Sequence, residues 1–163
     1  MTDPYETWQT TEIRRPSDVP AATPLRWQIE KEAEHEARLM NLRLPTDYPH
    51  SVDRGTAADA LAVIAVRESI RRDMELGRGV RVREAMELGA TWSEVAAALD
   101  TTPDEARDLL RAWADGQHQL HRGDTAAGRP RPLGLDDTAH AAVLALCDLG
   151  DDEPSSARPE ASR

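Results

Sequence analysis

The sequence predicts an all-α fold, a small helical bundle containing a helix-turn-helix, with disordered termini. Apolar residues recur at three- and four-residue spacing through most of residues 23–149, and no stretch alternates as a half-buried strand would. Helix-start signals also recur, as Thr56-x-x-Asp59, Thr91-x-x-Glu94 and Thr102-x-x-Glu105, each pairing a hydroxyl with a carboxylate one turn on. Glycine and proline punctuation falls between these segments rather than inside most of them.

Residues 1–22 carry Pro4, Pro16 and Pro20 with little periodicity and are expected to form a flexible N-terminal arm. Trp8 is its one large apolar side chain, so part of the arm is expected to dock. A helix then starts at Thr23-Pro24 and stops before Pro45, with Leu25, Ile29, Ala33, Ala37, Met40 and Leu44 as its predicted inward stripe. Glu30, Glu32, Glu34 and Glu36 load the other side. The segment from Thr56 to Gly77 is apolar almost all round from Ala57 to Val66 and is expected to be central. Ile70 and Met74 then face in while Arg67, Arg71 and Arg72 face out. A short helix over 80–88 is predicted to close at Gly89.

Next come two capped helices in succession. Trp92, Val95, Ala96 and Leu99 share one face, and Ala106, Leu109, Leu110 and Trp113 share the next. Pro103 occupies the first position of the second helix, where its missing N–H costs nothing. The turn Asp100-Thr101-Thr102 joins them into a helical hairpin over 91–115, with Leu99 and Leu109 expected in its core. The whole helical domain is expected to span 23–121. Gly123, Gly128, Pro130, Pro132 and Gly134 mark 122–135 as a linker. Asp136 begins a short C-terminal helix over 136–149, and 150–163 reads as a disordered acidic tail.

Bulk composition narrows the function. The chain has 163 residues with 30 acids against 20 basic residues, a net charge of −10, so the protein as a whole repels polyanions. Lys31 is the only lysine, and arginine carries nearly all positive charge. The lone Cys147 suits a reducing compartment, and no signal peptide or apolar run of about 20 residues is present. A cytoplasmic protein with no membrane association is expected.

Few residues suggest chemistry. His35-Glu36 begins an H-E-x-x-H pattern that Leu39 breaks, and His118 with His121 reads as two solvated histidines beyond a helix end rather than as metal ligands. Cys147 lies on an apolar helix face, as a packed thiol does. There is no phosphate-cradling glycine loop and no G-x-S-x-G elbow. No catalytic residue, metal or cofactor is therefore expected, and the protein is expected not to be an enzyme.

Gly89-Ala90-Thr91-Trp92-Ser93-Glu94-Val95, followed by Ala98-Leu99, resembles the helix-turn-helix segment of small bacterial DNA-binding regulators. The resemblance covers residues 80–117 and places Ala96 where the two helices cross. Asp100 stands where glycine is usual, and aspartate tolerates the left-handed backbone that such a turn needs. The resemblance implies a DNA-binding transcriptional regulator in which Arg107 and Arg111 face base edges, while Arg71, Arg81 and Arg83 hold phosphates. These five are the candidate nucleic-acid-binding residues. The second helix departs from the pattern, because Pro103, Asp104 and Glu105 present carboxylates where a polyanion would approach. The alternative is a protein-interaction adaptor that keeps the hairpin for packing or for a protein partner. Two observations separate them: a continuous positive surface favours DNA, and an acidic or apolar one favours protein. A subunit-assembly role would show as an apolar stripe left exposed on the helix over 25–44.

Overall fold

Every helix but the one over residues 25–40 begins where a side chain satisfies one of its first amide groups. The structure, a computed structural model, describes residues 3–155. Among them are six helices and no strand: α1 (Pro4–Thr10), α2 (Leu25–Met40), α3 (Ala57–Glu87), α4 (Trp92–Leu99), α5 (Pro103–Ala126) and α6 (Asp137–Cys147). Asp3 caps α1, Asp136 caps α6, and Thr91 and Thr102 open α4 and α5 in full capping boxes with Glu94 and Glu105. The start of α3 shows the same reciprocity. Thr56 N donates to Asp59 Oδ2 at 2.8 Å, and Asp59 N donates back to Thr56 Oγ1 at 3.4 Å.

The chain divides within α3 into two compact units, Met1–Glu75 and Leu76–Arg163. In the first unit the expected flexible arm is folded from Asp3 onward, and residues 1–2 lie outside the described residues. Trp8, Ile13 and Val19 are buried with Ala65 and Val66, and this apolar burial favours the docked arm. Trp8 docks as its size suggested, with Nε1 donating to Trp27 O at 3.1 Å. Lys31 holds the arm from below. Its Nζ donates to Gln9 O at 2.9 Å and Thr11 O at 2.7 Å, and it sits over the Trp8 ring.

The inward stripe expected on α2 is on the outside. Leu25, Ile29 and Met40 are 39%, 49% and 57% exposed, and Ala33 and Ala37 are exposed as well. The buried side chains of this helix are Gln28 and Lys31. Its polar face is the one fixed to α3, because Arg67 reaches Glu32 at 2.8 Å and Gln28 Nε2 donates to Asp73 Oδ2 at 2.8 Å. On α3, Leu61, Ile64 and Met74 are also exposed, so this helix is covered on fewer sides than its composition predicts.

Helix α3 corrects a second expectation, that of two helices broken near Gly77. It runs 31 residues without interruption. Gly79 is not a breaker but a contact, since a Cβ there would lie 2.1 Å from Trp113 Cγ. The helix ends before Gly89, whose φ of 93° is the left-handed value expected of a helix terminator.

In the second unit Val82, Met86, Trp92, Val95, Ala106, Leu110, Ala114, Leu135, Val143 and Cys147 form one core. Leu99 and Leu109, expected inside, are only half-buried against it, while Leu110 is completely buried. The α4–α5 hairpin forms as predicted, with Asp100 in the left-handed conformation at φ 52°. Helix α5 continues to Ala126, so the first five positions of the expected linker are helical; Gly123 costs helix stability but does not stop it. The linker then packs. Asp124 is buried and accepts Leu133 N at 3.0 Å, and Leu135 N donates to Gln117 O at 3.2 Å. Gly134, at φ 89°, lies so close to Gln117 O that a Cβ would collide with it. Residues 150–155 of the expected tail are also placed against this unit, and 156–163 lie outside the described residues.

Candidate functional site

The hairpin's second helix presents its first two turns in an unexpected way. Arg107, expected on the outward face beside Asp104, is buried at 8% exposure. Its guanidinium lies over the Trp92 ring, 5.5 Å from the centroid. Nη1 donates to Asp104 Oδ1 at 3.0 Å. Nη2 donates to Leu149 O at 3.0 Å and also to the Asp151 carboxylate. The Asp151 carboxylate, ahead of Asp104, pushes the guanidinium pKa further up. The reason for this arrangement is the end of α6. Trp92 Nε1 donates to Leu146 O at 2.9 Å, which fixes that end beside Arg107, and the chain leaving it supplies the two acceptors.

Residues 149–155 then run across the hairpin. Asp151 O accepts Ser93 N, one of the free amides in the first turn of α4, at 2.9 Å. Gly150 and Glu153 close a turn through Glu153 Oε2 on Gly150 N at 2.9 Å. Ser155 is buried, and its hydroxyl donates to Met86 O at 2.6 Å.

What α5 leaves outward is acidic. Asp104 and Asp108 side chains are 93% and 75% exposed, and Glu105 is exposed beside them. The Thr101 hydroxyl, followed by Thr102 N–H, holds the Glu105 carboxyl down to about 2, so it is ionised at neutral pH. Arg111 is half-exposed and paired with Asp108 at 3.2 Å.

The other nominated arginines are also ion-paired. Arg81 meets Glu84 at 2.6 Å and Arg83 meets Glu87 at 2.7 Å; two positions apart on one helix, they point roughly 200° apart around its axis. Arg71 belongs to the first unit and bridges Glu68 at 2.8 Å and Glu75 at 2.7 Å. Arg71 and then Arg72 hold the Glu68 carboxyl down to about 2. Such exposed pairs contribute little and can exchange for a phosphate, so pairing alone leaves these three competent to meet one. Arg107 differs because it is buried and both of its terminal nitrogens are engaged.

Two polar clusters were invisible in the sequence. In the first unit Asp59 Oδ1 accepts Arg38 Nε at 2.7 Å and lies 2.8 Å from His35 Nδ1, in a cleft of about 590 Å³. Arg38, followed by His35, keeps the Asp59 carboxyl well below the ordinary carboxylate range. Arg38 Nη2 also lies 2.7 Å from that imidazole nitrogen, which can serve only one of the two. Asp59 Oδ1 faces α2 and Oδ2 is spent on its own helix start, so the cluster is a fastening. In the second unit His118 and His140 stack with ring centroids 4.3 Å apart. Nε2 of His118 lies 2.7 Å from Asp137, and Nε2 of His140 lies 2.8 Å from Asp115, which ties α5 to α6. Among the described residues no group of three or more His, Cys, Asp or Glu is arranged to hold a metal. Cys147 is buried, and that burial raises its thiol pKa. No described helix is long and apolar enough to cross a membrane.

The architecture and site define an all-α protein with a helical hairpin whose basic position is turned inward. Compared with family models, curated proteins and solved structures, the chain matches none.

Proposed function

We propose that this chain is a non-enzymatic protein-interaction adaptor in which the helical hairpin serves for packing and partner binding. One observation carries the reading: Arg107 is buried and consumed by residues 149–151, leaving Asp104, Glu105 and Asp108 on the outward side. Carboxylates there would face mostly acceptor base edges and, at every DNA sequence, the phosphates that repel them. The exposed stripe of Leu25, Ile29 and Met40 is the feature expected of subunit assembly; as an exposed apolar surface it supports protein interaction, with another copy of the chain or with a different protein. The test crosslinks the full chain in an extract of its own cells, beside a chain carrying Ile29→Glu and Met40→Glu. A discrete adduct formed by the first and lost by the second is the expected result. Adducts identical for both chains would remove the stripe from the account.

DNA-binding regulation is the second reading, favoured by the hairpin itself and by the exchangeable pairs at Arg71, Arg81 and Arg83. It requires affinity dominated by phosphate contacts and a steep loss with salt. Duplex binding at about 50 mM salt that falls steeply towards about 200 mM, with a base preference set by Arg111, would favour it over the adaptor.

A further inference from the structure

Residues 149–155 touch the hairpin in the way a bound peptide touches a receptor. Two of the contacts use main-chain carbonyls, Leu149 O on Arg107 Nη2 at 3.0 Å and Asp151 O on Ser93 N at 2.9 Å. A third uses a carboxylate, that of Asp151 on the same Arg107 nitrogen, and Ser155 anchors the far end on Met86 O. Contacts outside this segment also hold the receiving surface. Trp92 is completely buried and supports the guanidinium from beneath, and Asp104 holds its other arm from the same helix.

We infer that Arg107, Trp92 and the first turn of α4 form a docking ledge for an acidic peptide segment, which residues 149–155 occupy in cis. The inference rests on the adaptor reading and names the chemistry of the partner: an extended segment carrying a carboxylate, two main-chain acceptors and a terminal hydroxyl. A phosphate backbone fits less well. It lacks the alternation of carbonyl and carboxylate acceptors, and its next charge would meet the exposed carboxylates of Asp104 and Glu105. Arg107 is buried, but the Asp151 side chain remains 55% exposed, so a competing carboxylate can approach the pair from the solvent side. A tethered segment competes at an effective concentration on the order of millimolar, so the free chain resists weak ligands and yields to a partner that binds better.

The test titrates a fluorescent peptide with the sequence of residues 149–155 against the full chain, by anisotropy. Wild type is expected to bind it only near millimolar. Chains carrying Asp151→Ala, or Ser155→Ala as an independent way to loosen the segment, are expected to bind at least tenfold more tightly. Circular dichroism checks that each is folded. The same peptide carrying Asp151→Ala is expected to lose that gain. Equal binding to wild type and both loosened chains, or indifference to the peptide's own aspartate, would overturn the ledge. A random DNA duplex at about 50 mM salt is the second arm. Failure of the peptide with no DNA binding sinks the ledge and leaves the adaptor standing. Duplex binding to the loosened chains that exceeds peptide binding sinks both.

Discussion

In residues 76–155 the largest completely buried side chains are Met86, Trp92, Leu110 and Val143, with Arg107, Asp124 and Ser155 as the buried polar ones; up to Glu75, Gln28, Lys31, Asp59 and Ser69 share the interior with Trp8, Ile13 and Val66. The second unit is built around one large apolar core, with Leu99 and Leu109 only half-buried against it. The first unit joins a smaller apolar cluster to hydrogen bonds with charged groups, and its α2 shows its apolar stripe to the outside. Gln28 even leaves Oε1 buried with no partner, a cost that a purely apolar interface would not carry. An apolar stripe therefore says which face a helix can bury, and the available partners decide whether this chain buries it.

The largest expected effects fall in the second unit. Trp92→Ala and Leu110→Ala should each lower stability by about 3–5 kcal/mol, because they remove completely buried side chains from a close-packed core. Leu109→Ala, at a half-buried position, should cost clearly less. Denaturant melts of the three variants measure this, and equal costs for Leu109 and Leu110 would mean that α5 is rotated from the orientation described.

That contrast explains what was legible. Thr91, Thr102, Asp100 and the Trp92–Val95–Ala96 face could be read directly, since capping and periodicity are local and each residue's neighbours lie within one turn. The burial of Arg107 could not be read, because its acceptors, Leu149 O and Asp151, lie more than forty positions away in a segment whose composition suggests a tail. Lys31 and Asp59 were equally hidden: their partners are carbonyls of the arm and side chains of α2, and polar residues carry no periodic signal of burial. Gly77 and Gly79 read as a break because isolated sequence gives glycine only its cost, not the neighbour that requires it.

Next in size is the polar fastening of the first unit. Asp59→Asn removes the charged acceptor of Arg38 and half of the α3 cap, and should cost about 1–3 kcal/mol. The pH dependence follows from the lowered carboxyl. Its folded pKa lies below the ordinary 3.8, so its contribution is whole above that value and is lost as the pH falls through the folded pKa. Melts between pH 6 and pH 2 should show a steeper acid loss in wild type than in the variant. Parallel curves would mean that Asp59 is not ionised in the folded chain.

The two glycines of α3 give a smaller test in opposite directions. Gly79→Ala should destabilise by about 1–3 kcal/mol through collision with Trp113, whereas Gly77→Ala meets nothing within 4 Å and should stabilise by about 0.5–1 kcal/mol. Thermal melts that move the same way for both would contradict the Gly79–Trp113 contact. Smallest of all, Ile29→Glu should leave stability within about 0.5 kcal/mol, since the side chain already faces outward. A loss of 2 kcal/mol or more would place that stripe in the interior after all.

The central claim is that the α4–α5 hairpin packs and docks protein instead of reading DNA, and a fluorescence titration of the full chain with duplex at about 50 mM salt tests it most directly. The account predicts no saturable binding at micromolar protein, on fragments upstream of its own gene or on random duplex. Sub-micromolar binding with a steep salt slope, weakened on every sequence by Arg81→Ala and Arg83→Ala and altered in base preference by Arg111→Ala, would contradict it.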